Sequence, residues 1–196
     1  MPHWLFFSYL LDYYEYIEKI MRRVNRMTLT LLSAQEADKP ILANLYSLYL
    51  HDLSAYTDRL TIHSDGTFVF DDLDYLWEEE GISPFLIKDD DHLIGFLLLL
   101  ERPYLKIEID YSVNDIFILN SYRGKGLGLK VIENLFQVKP GSYYIIELSA
   151  NKPAVMFWKK VYQKLNISFK EVLEHIDEDA CLIQTFDVDE SNLQRN

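Results

Sequence analysis

The chain has one cysteine, Cys181, in 196 residues. No disulfide can form within it, and nothing in its thiol content points to an oxidising compartment. Cys181 lies in the alternating stretch DACLIQTFDV, where a buried structural thiol is expected. Positive charge is also scarce: 19 Lys and Arg stand against 31 Asp and Glu, a formal net charge of −12. A nucleic-acid surface needs a basic face, so this balance argues against that class of partner. It suits a cationic small substrate or simple solubility. The five histidines (His3, His51, His63, His92, His175) are scattered without ligand spacing, so no metal is expected. The nearest thing to a long apolar run is PHWLFFSYLLDYYEYI, and Asp12, Glu15 and Glu18 break it short of the ~20 apolar residues of a membrane span. Its charges follow the apolar run and no small-residue cleavage site appears, so a secretory leader is not expected either. A cytoplasmic protein without stable membrane insertion is the resulting expectation.

Hydrophobic residues make up 49% of the chain and aromatic ones 14%, enough for one well-cored domain. Residues 1–26 stand apart. Their three acids and four bases sum to +1, which leaves −13 on the remaining 170 residues, 27–196. This extension reads either as an amphipathic helix that docks on the domain or on a membrane surface, or as a stretch preceding a natural start at Met27.

From Met27 the pattern alternates between strand-like and helix-like stretches. MTLTLLS reads as a strand. Residues 37–56 read as a helix with Asp38 as N-cap, Pro40 in the first turn, and Ile41, Leu45, Leu48 and Tyr49 on one face. DDLDYLWEE reads as a second short helix. A hairpin is expected from 85–87 and 93–100 across an Asp-rich turn at 89–91, then a strand at 112–119 and a helix ended near Val138 by Lys139-Pro140-Gly141. YYIIELS is a strand and PAVMFWKKVYQKL a helix; ISFKEVLEH and DACLIQTFDV close the chain as strands. The order β–α–α–β–β–β–α–β–α–β–β describes a mixed α/β domain.

The most informative stretch is NSYRGKGLGLKVIENLF, where Gly124, Gly126 and Gly128 fall beside Arg123 and Lys125 at the start of a helical pattern. Without Cβ atoms the backbone can adopt positive φ and approach a ligand closely. Several N–H groups then point together at the positive end of a helix dipole, an arrangement suited to phosphate oxygens. A Walker loop would need Ser or Thr after Gly-Lys, and a dinucleotide fingerprint would need glycine where Leu129 stands. Neither fits.

Arg-x-x-Gly-x-Gly, read as Arg123, Gly126 and Gly128, does fit, and the run FILNSYRGKGLG closely resembles the strand-loop-helix signature of the GNAT superfamily of acyl-CoA-dependent N-acyltransferases. HLIGFLLL resembles that family's third strand with its Gly95-aromatic pair, and NKPAVMFWKKVY resembles its Asn-x-x-Ala-x-x-Phe-aromatic-x-Lys helix. The resemblance implies a mixed, mostly antiparallel sheet with a V-shaped splay between its central strands, flanked by helices. It also implies acetyl-CoA as cosubstrate and an N-acetyltransferase acting by direct attack of a primary amine in a ternary complex. Phe117, Ile118 and Leu119 would offer backbone contacts to pantetheine, with the N–H near Leu119 polarising the thioester carbonyl. Backbone amides of Arg123, Gly124, Lys125, Gly126, Leu127 and Gly128 would hold the pyrophosphate. Asn151 would bond the pantetheine arm or cap its helix, and Phe157 would pack beside that arm.

For proton transfer the resemblance implies Asp115 as the base, with a solvated or bulge residue as the alternative. The tyrosine that family members use as acid after the Phe is replaced here by Trp158, an indole with no proton to give usefully. Tyr162, one helical turn on, is the candidate substitute, or else a structural aromatic. An acyl-CoA-binding sensor without turnover is therefore the alternative function. The acceptor is expected to be a small-molecule or lysine-type amine facing the segment from Tyr46 to Trp77. That segment carries Asp52, Asp58, Asp65, Asp71, Asp72 and Asp74 beside Tyr49, Tyr56 and Tyr75. A homodimer is left open.

Overall fold

In a computed structural model of the chain, residues 29–189 other than Val69 are described; the extension 1–26 lies outside them. Seven strands form one sheet in the order β1-β2-β3-β4-β5-β7-β6. These are β1 (Leu29–Ser33), β2 (Ile82–Asp89), β3 (His92–Glu101), β4 (Tyr111–Ile118), β5 (Gly141–Leu148), β6 (Phe169–Ile176) and β7 (Asp179–Val188). Three helices join them: α1 (Lys39–Leu53), α2 (Leu127–Val138) and α3 (Lys152–Leu165). Every neighbouring pair is antiparallel except β4 and β5. No helix among the described residues is long and apolar enough to cross a membrane.

The alternation of side chains along the strands builds two cores. Leu97, Leu99, Val113, Tyr143 and Ile145 pack with Val131, Leu135 and Phe136 of α2 and with Trp158, Val161 and Tyr162 of α3. On the other face Leu86, Phe96, Leu98 and Phe117 pack with Leu42, Leu45 and Tyr46 of α1. Thus α1 covers the β2–β4 half of its face.

Several boundaries differ from the sequence expectation for physical reasons. The buried face of α1 is Leu42, Leu45, Tyr46 and Leu50, while Ile41 and Leu48 are exposed. The stretch ILANLYSLYL is apolar nearly all round, so two stripes of three-and-four spacing compete, and the aromatic Phe70 and Phe96 select the one carrying Tyr46. The expected second helix is only a six-residue 3-10 segment, Asp71–Leu76. Asp38 stands at the helix boundary but accepts from the Gln35 N–H instead of capping α1. β2 begins three residues before 85 because its pairing with β3 runs on to Ile82↔Leu100; Pro84, which has no N–H to give, lies just past the last β1 pair at Phe85, and its carbonyl accepts from Ala34 N–H.

Gly95 marks a close approach. A Cβ there would overlap the Phe117 carbonyl oxygen across the β3–β4 ladder.

Candidate active site

β4 and β5 pair only at Tyr111↔Tyr143 and Ser112↔Tyr144. Their closed end is pinned by Asp110, whose Oδ2 accepts from the Ser142 N–H at 2.9 Å and its hydroxyl at 2.8 Å. Those bonds hold the Asp110 carboxyl below the usual carboxylate range. Beyond Ser112 and Tyr144 the strands run on to Ile118 and Leu148 without further pairing to each other.

The phase of β4 decides which backbone groups face this gap. Leu119 N–H donates to the Ile94 carbonyl at 2.8 Å, and the Leu119 carbonyl accepts from Tyr122 N–H. Alternation along an antiparallel ladder then turns Phe117 and Leu119 toward β3, and Ile116 and Ile118 toward the gap. The N–H expected near Leu119 is therefore already used, and Ile116 and Ile118 carry the groups that address the opening. The Phe117 side chain lies in the α1-side core, and that of Ile118 in the other.

At the open end the chain makes a 3-10 turn, Asn120–Tyr122, and passes through Gly124 (φ +75) and Gly126 (φ +81) into α2. Both glycines need the left-handed conformation, and a Cβ on either would meet nothing within 4 Å. Gly126 is the N-cap and supplies no side chain, so the first-turn N–H groups at Leu127, Gly128 and Leu129 point out of the helix end. Gly128 has a different role: a Cβ there would lie 3.0 Å from Phe157 Cε2, so glycine lets α2 approach α3.

The two cations of the loop are used differently. The Arg123 guanidinium turns back, Nε to the Ile118 carbonyl at 2.6 Å and Nη2 to Asp52 at 2.6 Å, with its centre 5.3 Å from the Phe117 ring. Its own N–H donates to the Asn120 carbonyl. Arg123 therefore braces the loop against α1, and its main-chain N–H is not among those the loop presents. Lys125 Nζ lies over the Tyr122 ring at 5.1 Å.

Asn151 is the N-cap of α3, with Oδ1 accepting from Ala154 N–H at 3.2 Å; the Nδ2 group is its remaining donor. Phe157 is half-buried, edge-on to Trp158 at 5.3 Å. Trp158 is buried in the core. Tyr162 is buried too: its hydroxyl donates to Gln184 Oε1 at 2.5 Å, and burial raises its pKa. That bond and the surrounding Phe169 and Phe186 rings are what the structural alternative for Tyr162 expects.

Asp115 stands on β4 next to a bulge, since Leu98 pairs with Asp115 and Leu99 with Val113. Its half-buried carboxylate faces α1. Oδ2 accepts from Tyr46 Oη at 3.1 Å and Asn114 Nδ2 at 2.9 Å, and Tyr49 also addresses the group. Burial pushes the Asp115 carboxyl above the ordinary aspartate range, against the pull of these donors. Asn114 also borders a cavity of about 950 Å³ lined by Asp72, Glu79, Glu80, Tyr75, Tyr104 and Lys106, with Phe70 and Leu98 at its inner wall. Of the expected acidic residues, Asp72 lines it. Asp52 is paired with Arg123, Asp74 with Lys39, and Asp65 is turned onto Thr67. Glu79, Glu80, Tyr104 and Lys106 escaped the sequence reading because four separate segments converge only in the folded chain.

The family model described as Acetyltransferase (GNAT) family matches residues 43–162. An acetyltransferase from Thermus thermophilus superposes with a TM-score of 0.62 at 19% identity, over 82% of this chain and 97% of that one. The protein yncA from Salmonella typhimurium, solved with its cofactor acetyl-CoA, gives 0.55 at 16% identity, over 83% and 95%. A chimera of spermidine N-acetyltransferase SpeG from Vibrio cholerae and hSSAT gives 0.53 at 17%, over 85% and 99%. No curated protein sequence matches significantly. With a parted β4–β5 pair, a bare loop at the end of α2 and a family match across more than half its length, the chain belongs to the GNAT acetyltransferase family.

Proposed function

We propose that this protein transfers the acetyl group of acetyl-CoA to a primary amine by direct attack in a ternary complex. The observation that carries the reading is the gap itself: two neighbouring strands pinned at one end and unpaired along the rest, with uncapped helix donors at its mouth. The loop fits a diphosphate, because its positive-φ glycines leave main-chain N–H groups bare and the space before them unfilled. The N–H groups from Gly124 to Gly128 would hold that group. The main chain of Ile116 and the N–H of Ile118, whose carbonyl already accepts from Arg123, would offer partners to the pantetheine amides in the manner of an added strand, with Asn151 Nδ2 and Phe157 alongside. When bound, acetyl-CoA supplies a thioester, an acyl group already activated toward amines.

The remaining chemistry falls to the chain. An alkylammonium has an ordinary pKa near 10 and must lose a proton before it can attack. Asp115 is the base in this reading: Tyr46 and Asn114 fix its orientation, and its raised pKa makes it a better proton acceptor than an exposed aspartate. The cavity beside Asn114 is the acceptor site. Its three carboxylates and its tyrosines suit an amine that carries a second positive charge, of the kind named in the spermidine N-acetyltransferase neighbour. No side chain on this account protonates the leaving thiolate, which departs more readily than an amine and can take its proton from water.

An amine panel assayed for acetyl-CoA-dependent thiol release tests the proposal. The expected result is release with di- and polyamines above that with uncharged-tail amines. Acetyl-CoA binding without release from any amine would replace the enzyme with the sensor.

A further inference from the structure

Among the described residues the sheet ends at β6, and that edge carries no further strand. All of β6 but its last residue is exposed, including Phe169 at 37%, Val172 at 55% and Leu173 at 58%. On the face away from α3, Val172 continues an apolar row through its cross-strand partner Ile183 to Ile146, itself 41% exposed. The helix on that face, α1, packs over β2–β4, and the segment after it reaches this half of the sheet at the β6–β7 turn, where Thr57 bonds Asp179 and Arg59 bonds Asp177. An eight-residue edge offers about 27 Å of unpaired main chain, an arrangement that recruits another strand unless charge or shape prevents it.

The charges on β6 favour one partner. Lys170 and Glu174 lie two residues either side of Val172, on the same face. If two copies of β6 pair antiparallel about a two-fold axis at Val172, Lys170 of each meets Glu174 of the other, and Val172 meets Val172. The neighbouring two-fold registers lose this match. An axis at Glu171 sets that carboxylate against its own copy, and an axis at Leu173 sets Val172 against Glu174. Glu171 is also held on its own chain by Lys159 at 3.3 Å and Gln184 at 2.8 Å. On the face away from α3 the Val172 register is thus self-complementary in both charge and apolar contact, as an isologous interface must be; on the other face it sets Glu171 beside Leu173, with the Glu171 carboxylate held by its own chain.

We propose that β6 pairs with β6 of a second copy about a two-fold axis at Val172, joining two sheets into one fourteen-stranded sheet. Sedimentation velocity of the full chain from about 1 to 100 µM tests it, with K170E, E174K and the double variant K170E/E174K alongside. Each single reversal turns two attractive pairs into two repulsive ones and should weaken dimerisation roughly tenfold or more. The double variant restores opposite charges and should return the dissociation constant to within about threefold of the parent. Both positions are exposed, and far-UV circular dichroism checks that each variant folds. A parent chain that stays monomeric throughout, single reversals without effect, or a double variant as weak as the singles would each overturn the proposal.

Discussion

Replacing Glu147 with glutamine probes the polar network behind the gap. Glu147 lies on β5 and is 7% exposed. Its Oε1 accepts from Gln184 Nε2 at 2.8 Å, while Oε2 is buried with no hydrogen-bond partner among the described residues. Burial is the main cause that pushes its carboxyl up from an ordinary 4.5 to about 7, with the nearby Glu171 adding to the rise and the Gln184 bond opposing it. Between those values the folded chain keeps a proton that the unfolded chain has released. This group's contribution to stability is therefore present at low pH and is lost as pH rises from about 4.5 to about 7. Evaluated between pH 5 and pH 8, the loss is about 2.5 kcal/mol. Glutamine at 147 has no proton to lose. The stability difference between Glu147→Gln and the parent should shift by that amount in favour of the variant from pH 5 to pH 8. Any fixed cost of fitting an amide cancels in this double difference. Urea unfolding at the two pH values measures it, and in thermal scans it corresponds to roughly 5–10 °C. Parallel pH profiles for the two proteins would refute the argument that Glu147 carries a buried, partly unsatisfied carboxyl.

Two further substitutions test other parts of the account. Gly95→Ala places a methyl group on the Phe117 carbonyl oxygen, a backbone atom that cannot swing aside. It should cost about 3 kcal/mol in urea unfolding and weaken acetyl-CoA binding by displacing β4; a cost under about 1 kcal/mol would show that the two strands are not so closely apposed. Asp115→Asn should lower kcat by roughly 10²–10⁴-fold with acetyl-CoA affinity unchanged. In the parent, the acid limb of kcat/KM should lie above the ordinary aspartate range, as the burial of Asp115 requires. Full turnover in the variant, or an acid limb at the ordinary value, would remove Asp115 from the chemistry.

The parts of this molecule that are legible in its sequence are those encoded by neighbours along the chain. The glycine loop, the strand before it and the helix after it lie within one contiguous stretch, so bare backbone, positive φ and helix dipole can be read together. β7 follows from simple alternation over 179–188. What escaped depends on contacts between distant segments. The buried stripe of α1 is chosen by the sheet, because the helix is apolar on several sides. Tyr162 has the right spacing to stand in for Trp158, yet Gln184, arriving from β7, claims its hydroxyl. Leu119 directly follows β4, yet its N–H is taken by the Ile94 carbonyl. The acidic cavity joins 3-10 segment, strand and loop, while Asp52, Asp65 and Asp74, conspicuous in sequence, are spent on ion pairs and a turn.

Calorimetric titration of acetyl-CoA into the parent chain and into Gly126→Asp tests the central claim most directly. The substituted side chain would enter open space, and aspartate tolerates the left-handed backbone at this position better than most residues, so the fold is retained. Its carboxylate would stand where the diphosphate is expected. The account predicts binding to the parent and at least about tenfold weaker binding to the variant. Equal affinities, or no binding to the parent at millimolar ligand, would contradict it.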